Sequence, residues 1–168
     1  KGAKNMIKLL IVDDEQIERE GMKAILDRAF LNLLIKEASN GHLAVEIASS
    51  FKPHIVLMDI QMPGINGLEA IEQILKQNLQ TKIVMVTAFD TFHYVQSALK
   101  LGAKDYLLKP SKISEIVKTV GKVLEEIEDE RKLQEERNMR EKLLQKTLSL
   151  VETDVVTQLL FDHVHDVH

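Results

Sequence analysis

Asp13, Asp14, Asp59 and Lys109 stand out because each falls just past a short apolar run. The acidic pair follows Ile7-Lys8-Leu9-Leu10-Ile11-Val12, Asp59 closes the run from His54 to Met58, and Lys109 follows Asp105-Tyr106-Leu107-Leu108. Thr87 and Ala88 end a similar run from Lys82 to Val86. Carboxylates gathered within a few ångströms repel one another, and at least one pKa rises unless a cation neutralises them. Such a set asks for a divalent ion. With no cysteine in the chain, the donors are hard oxygens, which favour Mg²⁺ held by a few carboxylates with water or phosphate oxygens as its other ligands. An ion of that kind beside a lysine and a threonine hydroxyl suits a tetrahedral phosphoryl group, whose transfer needs in-line positioning and charge neutralisation. One carboxylate would then be the nucleophile, since aspartyl phosphates are an established covalent form. Asp59 is the better candidate, because the adjacent Asp13 and Asp14 suit clasping the ion together.

Each residue also has a plainer explanation. Asp13 with Gln16 would fit a capping box, which stabilises a helix start by about 1 kcal/mol. Asp59 would fit a turn before Met62-Pro63-Gly64, Thr87 a strand-end hydroxyl, and Lys109 a solvated charge before Pro110. What sets the group apart is that all of its members fall at the same end of successive strands. In an open parallel sheet, the crevice outside the carboxyl ends of the strands is where ligands bind.

The elements that would position them are legible from apolar spacing. Strands are expected at Ile7 to Val12, Leu33 to Glu37, His54 to Met58, Lys82 to Val86 and Asp105 to Leu108. Between them, apolar residues recur at helical spacing: Ile17 to Ala29, Gly41 to Ser50, Asn66 to Lys76 and Asp90 to Leu101. Strands apolar on both faces and joined by helical crossovers form a parallel sheet covered on both sides. The expected fold is α/β, a doubly wound five-stranded parallel sheet, flavodoxin-like with order 2-1-3-4-5, followed by an extended C-terminal helix.

Composition bounds the rest. The 168 residues carry 22 Lys plus Arg against 26 Asp plus Glu, a formal charge of −4, with 45% hydrophobic and 29% charged residues. That balance is globular rather than disordered. The absence of cysteine excludes disulfide frameworks, cysteine-zinc sites and thiol catalysis. No apolar run approaches the ~20 residues that span a bilayer, so the chain is expected to be soluble and cytoplasmic, with no membrane partner. Its acidic balance argues against a broad nucleic-acid surface, which needs Lys and Arg to neutralise phosphates.

Four segments are expected: an expression remnant at 1–5, a phosphoacceptor domain at 6–127, a helical linker at 128–161 and a disordered end at 162–168. From Lys112 to Phe161 no proline or turn cluster interrupts the helical pattern. In one heptad frame Ile113, Ile116, Val120, Val123 and Ile127 share the a and d positions with Leu144, Leu148, Val151 and Val155. Glu130, Gln134, Arg137 and Glu141 make the middle of that seam polar. The tail fits either an exposed linker helix or a parallel coiled coil joining two protomers.

Taken together, Leu10-Ile11-Val12-Asp13-Asp14-Glu15, the stretch Ile55-Val56-Leu57-Met58-Asp59-Ile60-Gln61-Met62-Pro63-Gly64-Ile65-Asn66-Gly67, Val86-Thr87-Ala88 and Asp105-Tyr106-Leu107-Leu108-Lys109-Pro110 closely resemble the receiver domain of two-component response regulators. The resemblance covers Met6 to about Ile127. It implies a signalling module rather than an enzyme, in which Asp59 accepts a phosphoryl group from a phosphohistidine of a sensor histidine kinase. Asp14 would bind Mg²⁺ directly and Asp13 largely through water, with the main-chain carbonyl of Gln61 as a further ligand. Lys109 would pair with the phosphoryl oxygens, oriented by a cis bond to Pro110. Thr87 would hydrogen-bond the phosphoryl group, assisted by the Ala88 amide, and its inward movement would make room for Tyr106. The surface around the fourth helix and fifth strand would form a homodimer. More loosely, the charged helix followed by a leucine-rich stretch resembles the linker of AraC-type regulators of the YesN group. DNA binding and transcription control would then reside in a C-terminal domain outside this sequence.

Other classes fit less well. A haloacid-dehalogenase-type phosphohydrolase places a second aspartate two residues after the nucleophile, where this chain has Gln61. A flavin carrier would want a phosphate-cradling Ser, Thr and Gly loop after the first strand, where Asp13-Asp14-Glu15 would repel phosphate. A degenerate receiver acting only as a dimer scaffold is disfavoured because every motif position is occupied.

Overall fold

A computed structural model describes residues 6–88 and 92–165. In chain order the elements are β1 (Ile7–Val12), α1 (Gln16–Ala29), β2 (Leu33–Ala38), α2 (Gly41–Phe51), β3 (Ile55–Asp59), α3 (Gly67–Gln77), β4 (Lys82–Thr87), α4 (Phe92–Leu101), β5 (Asp105–Leu108) and α5 (Ile113–His165). The five strands form one sheet in the order β2-β1-β3-β4-β5, every pair parallel. This is the expected doubly wound sheet, with its long C-terminal helix. The expected beginning of the fourth helix at Asp90 lies outside the described residues, as do 1–5 and the last part, 166–168, of the expected disordered end.

Alternate residues of each central strand feed opposite layers of core, as a pleat with period two requires. Leu10, Val12, Val56, Met58, Ile83 and Met85 pack with Ala44 and Ala48 of α2, Ala70, Ile71 and Ile74 of α3, and Ala98 of α4. On the other face Ile7, Leu9, Ile11, Ile55, Leu57, Val84 and Val86 meet Leu26 of α1 and Ile116, Val120, Val123 and Ile127 of α5. Full burial of each valine, leucine, isoleucine or methionine among them contributes about 1.5–3 kcal/mol. The sheet is therefore stiff at its centre, and its strand ends are fixed platforms for whatever follows them.

Two compact units divide the chain after Ile127. The first contains the sheet and its helices. In the second, every residue from Lys132 to His163 is exposed. The helix α5 persists to His165, so residues 162–165, placed by sequence in a disordered end, are helical. Nothing in the pattern stops the helix there, and the back-bonded hydroxyls of Thr147, Thr153 and Thr157 satisfy themselves on the helix's own carbonyls at 2.8 to 2.9 Å.

Candidate functional site

Register alone carries the site residues to one end of the sheet. Val12 pairs with Met58, Asp59 with Val86 and Thr87 with Leu108, so Asp13, Asp59, Thr87 and Lys109 all emerge at neighbouring strand ends. The Lys109 amide donates to the Thr87 carbonyl at 2.7 Å, extending the β4–β5 ladder by one step. The Lys109–Pro110 peptide bond is cis.

Carboxylate oxygens of Asp13, Asp14 and Asp59 lie within 4.8 Å of one another. Asp13 and Asp59 are buried and Asp14 is exposed. Lys109 Nζ donates to Asp13 Oδ2 at 2.8 Å and lies 3.5 Å from Asp59 Oδ2. The Gln61 amide donates to Asp59 Oδ1 at 3.2 Å, and the Glu15 amide donates to Asp13 Oδ1 at 2.9 Å. Gln61 thus touches Asp59 through its main-chain N–H. Thr87 is buried at the end of β4 and Ala88 is exposed beside it. Tyr106, opposite Met85 on β5, is 40% exposed. Among the described residues no hydrogen bond joins it to the carboxylates.

Burial pushes the Asp59 carboxyl up to about 6 from 3.8; the Lys109 charge opposes this and the Asp13 charge adds to it. Burial acts to lower the Lys109 ammonium, but its hydrogen bond to Asp13 and the charges of Asp59 and Asp13 outweigh burial and raise it. One ammonium does not neutralise three carboxylates; the upward shift of Asp59 comes first from its burial, with the neighbouring Asp13 charge adding to it. A hard divalent cation would relieve the remaining repulsion, and the all-oxygen donor set fits Mg²⁺.

Local sequence explains how the loops hold this geometry. After β3, Gly64 adopts φ +85° and the Asn66 side chain caps α3 by accepting from the Glu69 amide at 2.9 Å. A Cβ at Gly67 would sit 2.5 Å from the Asp59 carbonyl oxygen and 2.7 Å from Ile60 Cα. Only glycine lets α3 begin so close to the end of β3. After β1, the capping box that was the plainer alternative for Asp13 and Gln16 does not form. Glu15 is the N-cap, with no side-chain cap bond, and Gln16 Nε2 instead donates to Glu20 Oε1 at 2.9 Å. The Asp13 carboxylate is drawn to the Glu15 amide and to Lys109.

The sequence reading overlooked Arg19. Its Nη1 donates to the Asp13 carbonyl at 2.7 Å and its Nε lies 3.4 Å from Glu37 Oε1 on β2. The available signal was an arginine one and a half turns beyond the acidic pair. Beside the carboxylates a cleft of about 530 Å³ opens, walled by Ile17, Gly21, Met22, Ile25 and Ile116 and reaching Asp13 and Lys109.

The response regulator receiver domain family matches residues 9–121. The chain belongs to that family. Among relatives of this receiver, the transcriptional regulatory protein YdfI of Bacillus subtilis (strain 168) is 37% identical over 156 residues, 90% of this chain and 73% of YdfI. That match is too long for the unit ending at Ile127 and runs into the later part of α5. The transcriptional regulatory protein YesN of the same strain is 37% identical over 123 residues, and the receiver chain spans only 33% of its length. The chemotaxis protein CheY of Thermotoga maritima is 40% identical over 116 residues, 69% of this chain and 96% of CheY. The REC domain of AraT, a response regulator from Geobacillus stearothermophilus, has a TM-score of 0.70 at 33% identity and covers 75% of this chain and 98% of its own. Among the described residues no helix is long and apolar enough to cross a membrane.

Proposed function

We propose that this receiver takes a phosphoryl group onto Asp59 from a phosphohistidine of a sensor histidine kinase, and that the modification switches an output module. The convergence of Asp13, Asp14 and Asp59 within 4.8 Å, with Lys109 against two of them, carries this reading. A carboxylate oxygen of Asp59 attacks phosphorus in line; the O–P bond forms, the P–N bond breaks, and the departing histidine nitrogen takes a proton. Asp13, Asp14, Asp59 and the main-chain carbonyl of Gln61 would hold Mg²⁺, Asp13 largely through water. The ion, when bound, supplies charge neutralisation for the phosphoryl oxygens. Lys109 stabilises the same oxygens from the other side, and the Thr87 hydroxyl and Ala88 amide donate to them. The apolar cleft beside α1, with Ile17 80% exposed at its wall, suits docking of the kinase helix that bears the histidine.

New charge at Asp59 then biases two packings of Thr87, Ala88 and Tyr106. Tyr94, Leu99, Tyr106 and Leu108 leave an apolar, exposed surface on α4 and β5, suited to a homodimer. Residues 128–161 form a linker that carries the change to a DNA-binding transcription module in the whole protein, in keeping with the names of YdfI and YesN. Such a regulator works in the cytoplasm as a signal acceptor rather than as an enzyme. Incubation of the full chain with acetyl phosphate and Mg²⁺ tests the reading: intact mass should rise by one phosphoryl group, and Asp59→Asn should abolish the gain. Equal labelling of that variant would remove Asp59 from its role.

A further inference from the structure

We propose that Arg19 is a positioning residue for the metal site: its guanidinium ties the Asp13 carbonyl to β2 and so holds the Asp13–Asp14 pair at its spacing from Asp59. The inference rests on the cation-assisted phosphoryl chemistry proposed above. Asp14 supplies the only exposed carboxylate of the cluster, and among the described residues its side chain has no hydrogen-bond partner. Its position therefore depends on the main chain at Asp13 and Asp14. That main chain is anchored at two points, by the Asp13 amide donating to the Ala38 carbonyl at 3.1 Å and by Arg19 Nη1 donating to the Asp13 carbonyl at 2.7 Å. Glu37, the residue before Ala38, holds the same guanidinium at 3.4 Å. Arg19 thus bridges the loop after β1 to the end of β2, and at 15% side-chain exposure it does so largely out of water.

A guanidinium suits this task because its planar fork presents several N–H donors in fixed directions. Lysine keeps the charge but, as a compact point charge, does not reproduce that fork. The two properties of Arg19 push metal affinity in opposite directions. Its positive charge repels a nearby divalent cation, so if charge alone mattered, Arg19→Met would tighten binding. If Arg19 positions the acids, Arg19→Met weakens binding despite removing a repelling charge, by about tenfold or more, the range seen when groups that orient metal ligands are lost.

Calorimetric titration of Mg²⁺ into the 168-residue chain decides between these outcomes. The account expects weaker binding in Arg19→Met, weaker binding in Arg19→Lys despite the retained charge, and no further loss when Glu37→Gln is added to Arg19→Met. Circular dichroism establishes that each variant is folded at the titration temperature, and Arg19→Lys serves if Arg19→Met does not fold. Unchanged or tighter binding in a folded Arg19→Met, or wild-type affinity in Arg19→Lys, would overturn the positioning role while leaving wild-type phosphorylation on Asp59 intact. A wild-type chain that neither binds Mg²⁺ nor gains a phosphoryl group would overturn the proposed function and this inference together.

Discussion

Asp59 is a carboxylate kept ionised at some cost, and that cost is measurable. Its folded pKa of about 6 lies above the ordinary 3.8, so protonation favours the fold: this contribution is full below pH 3.8 and is lost as pH rises through about 6. At about 1.4 kcal/mol per pKa unit, discounted by about half because water reaches the cleft, the charge costs the metal-free protein about 1–2 kcal/mol. Asp59→Asn, unfolded by denaturant in the presence of a chelator, should therefore be more stable than wild type by about that amount at pH 7.5. The advantage should vanish near pH 4, and a less stable variant at pH 7.5 would contradict the electrostatic account. Such frustration is typical of a site that sacrifices stability for function. The acids and Lys109 were legible in the sequence because each terminates an apolar strand. The Arg19–Glu37 pair was not, because its partners are a main-chain carbonyl and a residue on another strand, and neither has a local pattern.

At the scale of elements, two glycines that look alike in the sequence behave oppositely. Gly67 opens α3 against the end of β3, where a Cβ would meet the Asp59 carbonyl oxygen at 2.5 Å. Gly21 lies within α1, facing the cleft, where a Cβ would meet nothing within 4 Å. Gly67→Ala should destabilise by roughly 2 kcal/mol or more through backbone displacement and should also disturb Asp59. Gly21→Ala should stabilise by about 0.5–1 kcal/mol through helix propensity alone. Thermal denaturation of both variants checks the pair, and a stabilised Gly67→Ala would refute the close approach. Strand and helix positions were readable because period-two and period-3.6 patterns alternate cleanly along the chain. The start of α1 was read to within one residue, and the alternative of a capping box from Asp13 and Gln16 is not what forms, because Gln16 is drawn to Glu20.

For the molecule as a whole, α5 serves two environments in one register. Ile116, Val120, Val123 and Ile127 are buried in the first unit, whereas Leu144, Leu148, Val151 and Val155 are at least 50% exposed in the second. Leu143, Leu150, Val156, Leu159, Leu160 and Phe161 are exposed as well, so apolar side chains extend beyond that seam around the second stretch. Ending the chain after Glu128 should lower self-association in sedimentation experiments while leaving phosphorylation intact, and undiminished association would count against pairing through the helix. The heptad was visible in the sequence, but its polar middle at Glu130, Arg137 and Glu141 hid whether one helix or two would use it. The proposed switch depends on which carboxylate accepts the phosphoryl group. Reductive trapping locates it directly, because borohydride converts an aspartyl phosphate to homoserine, which peptide mass mapping identifies. Homoserine at position 59 is the predicted result, and conversion at position 13 or 14 instead would contradict the account.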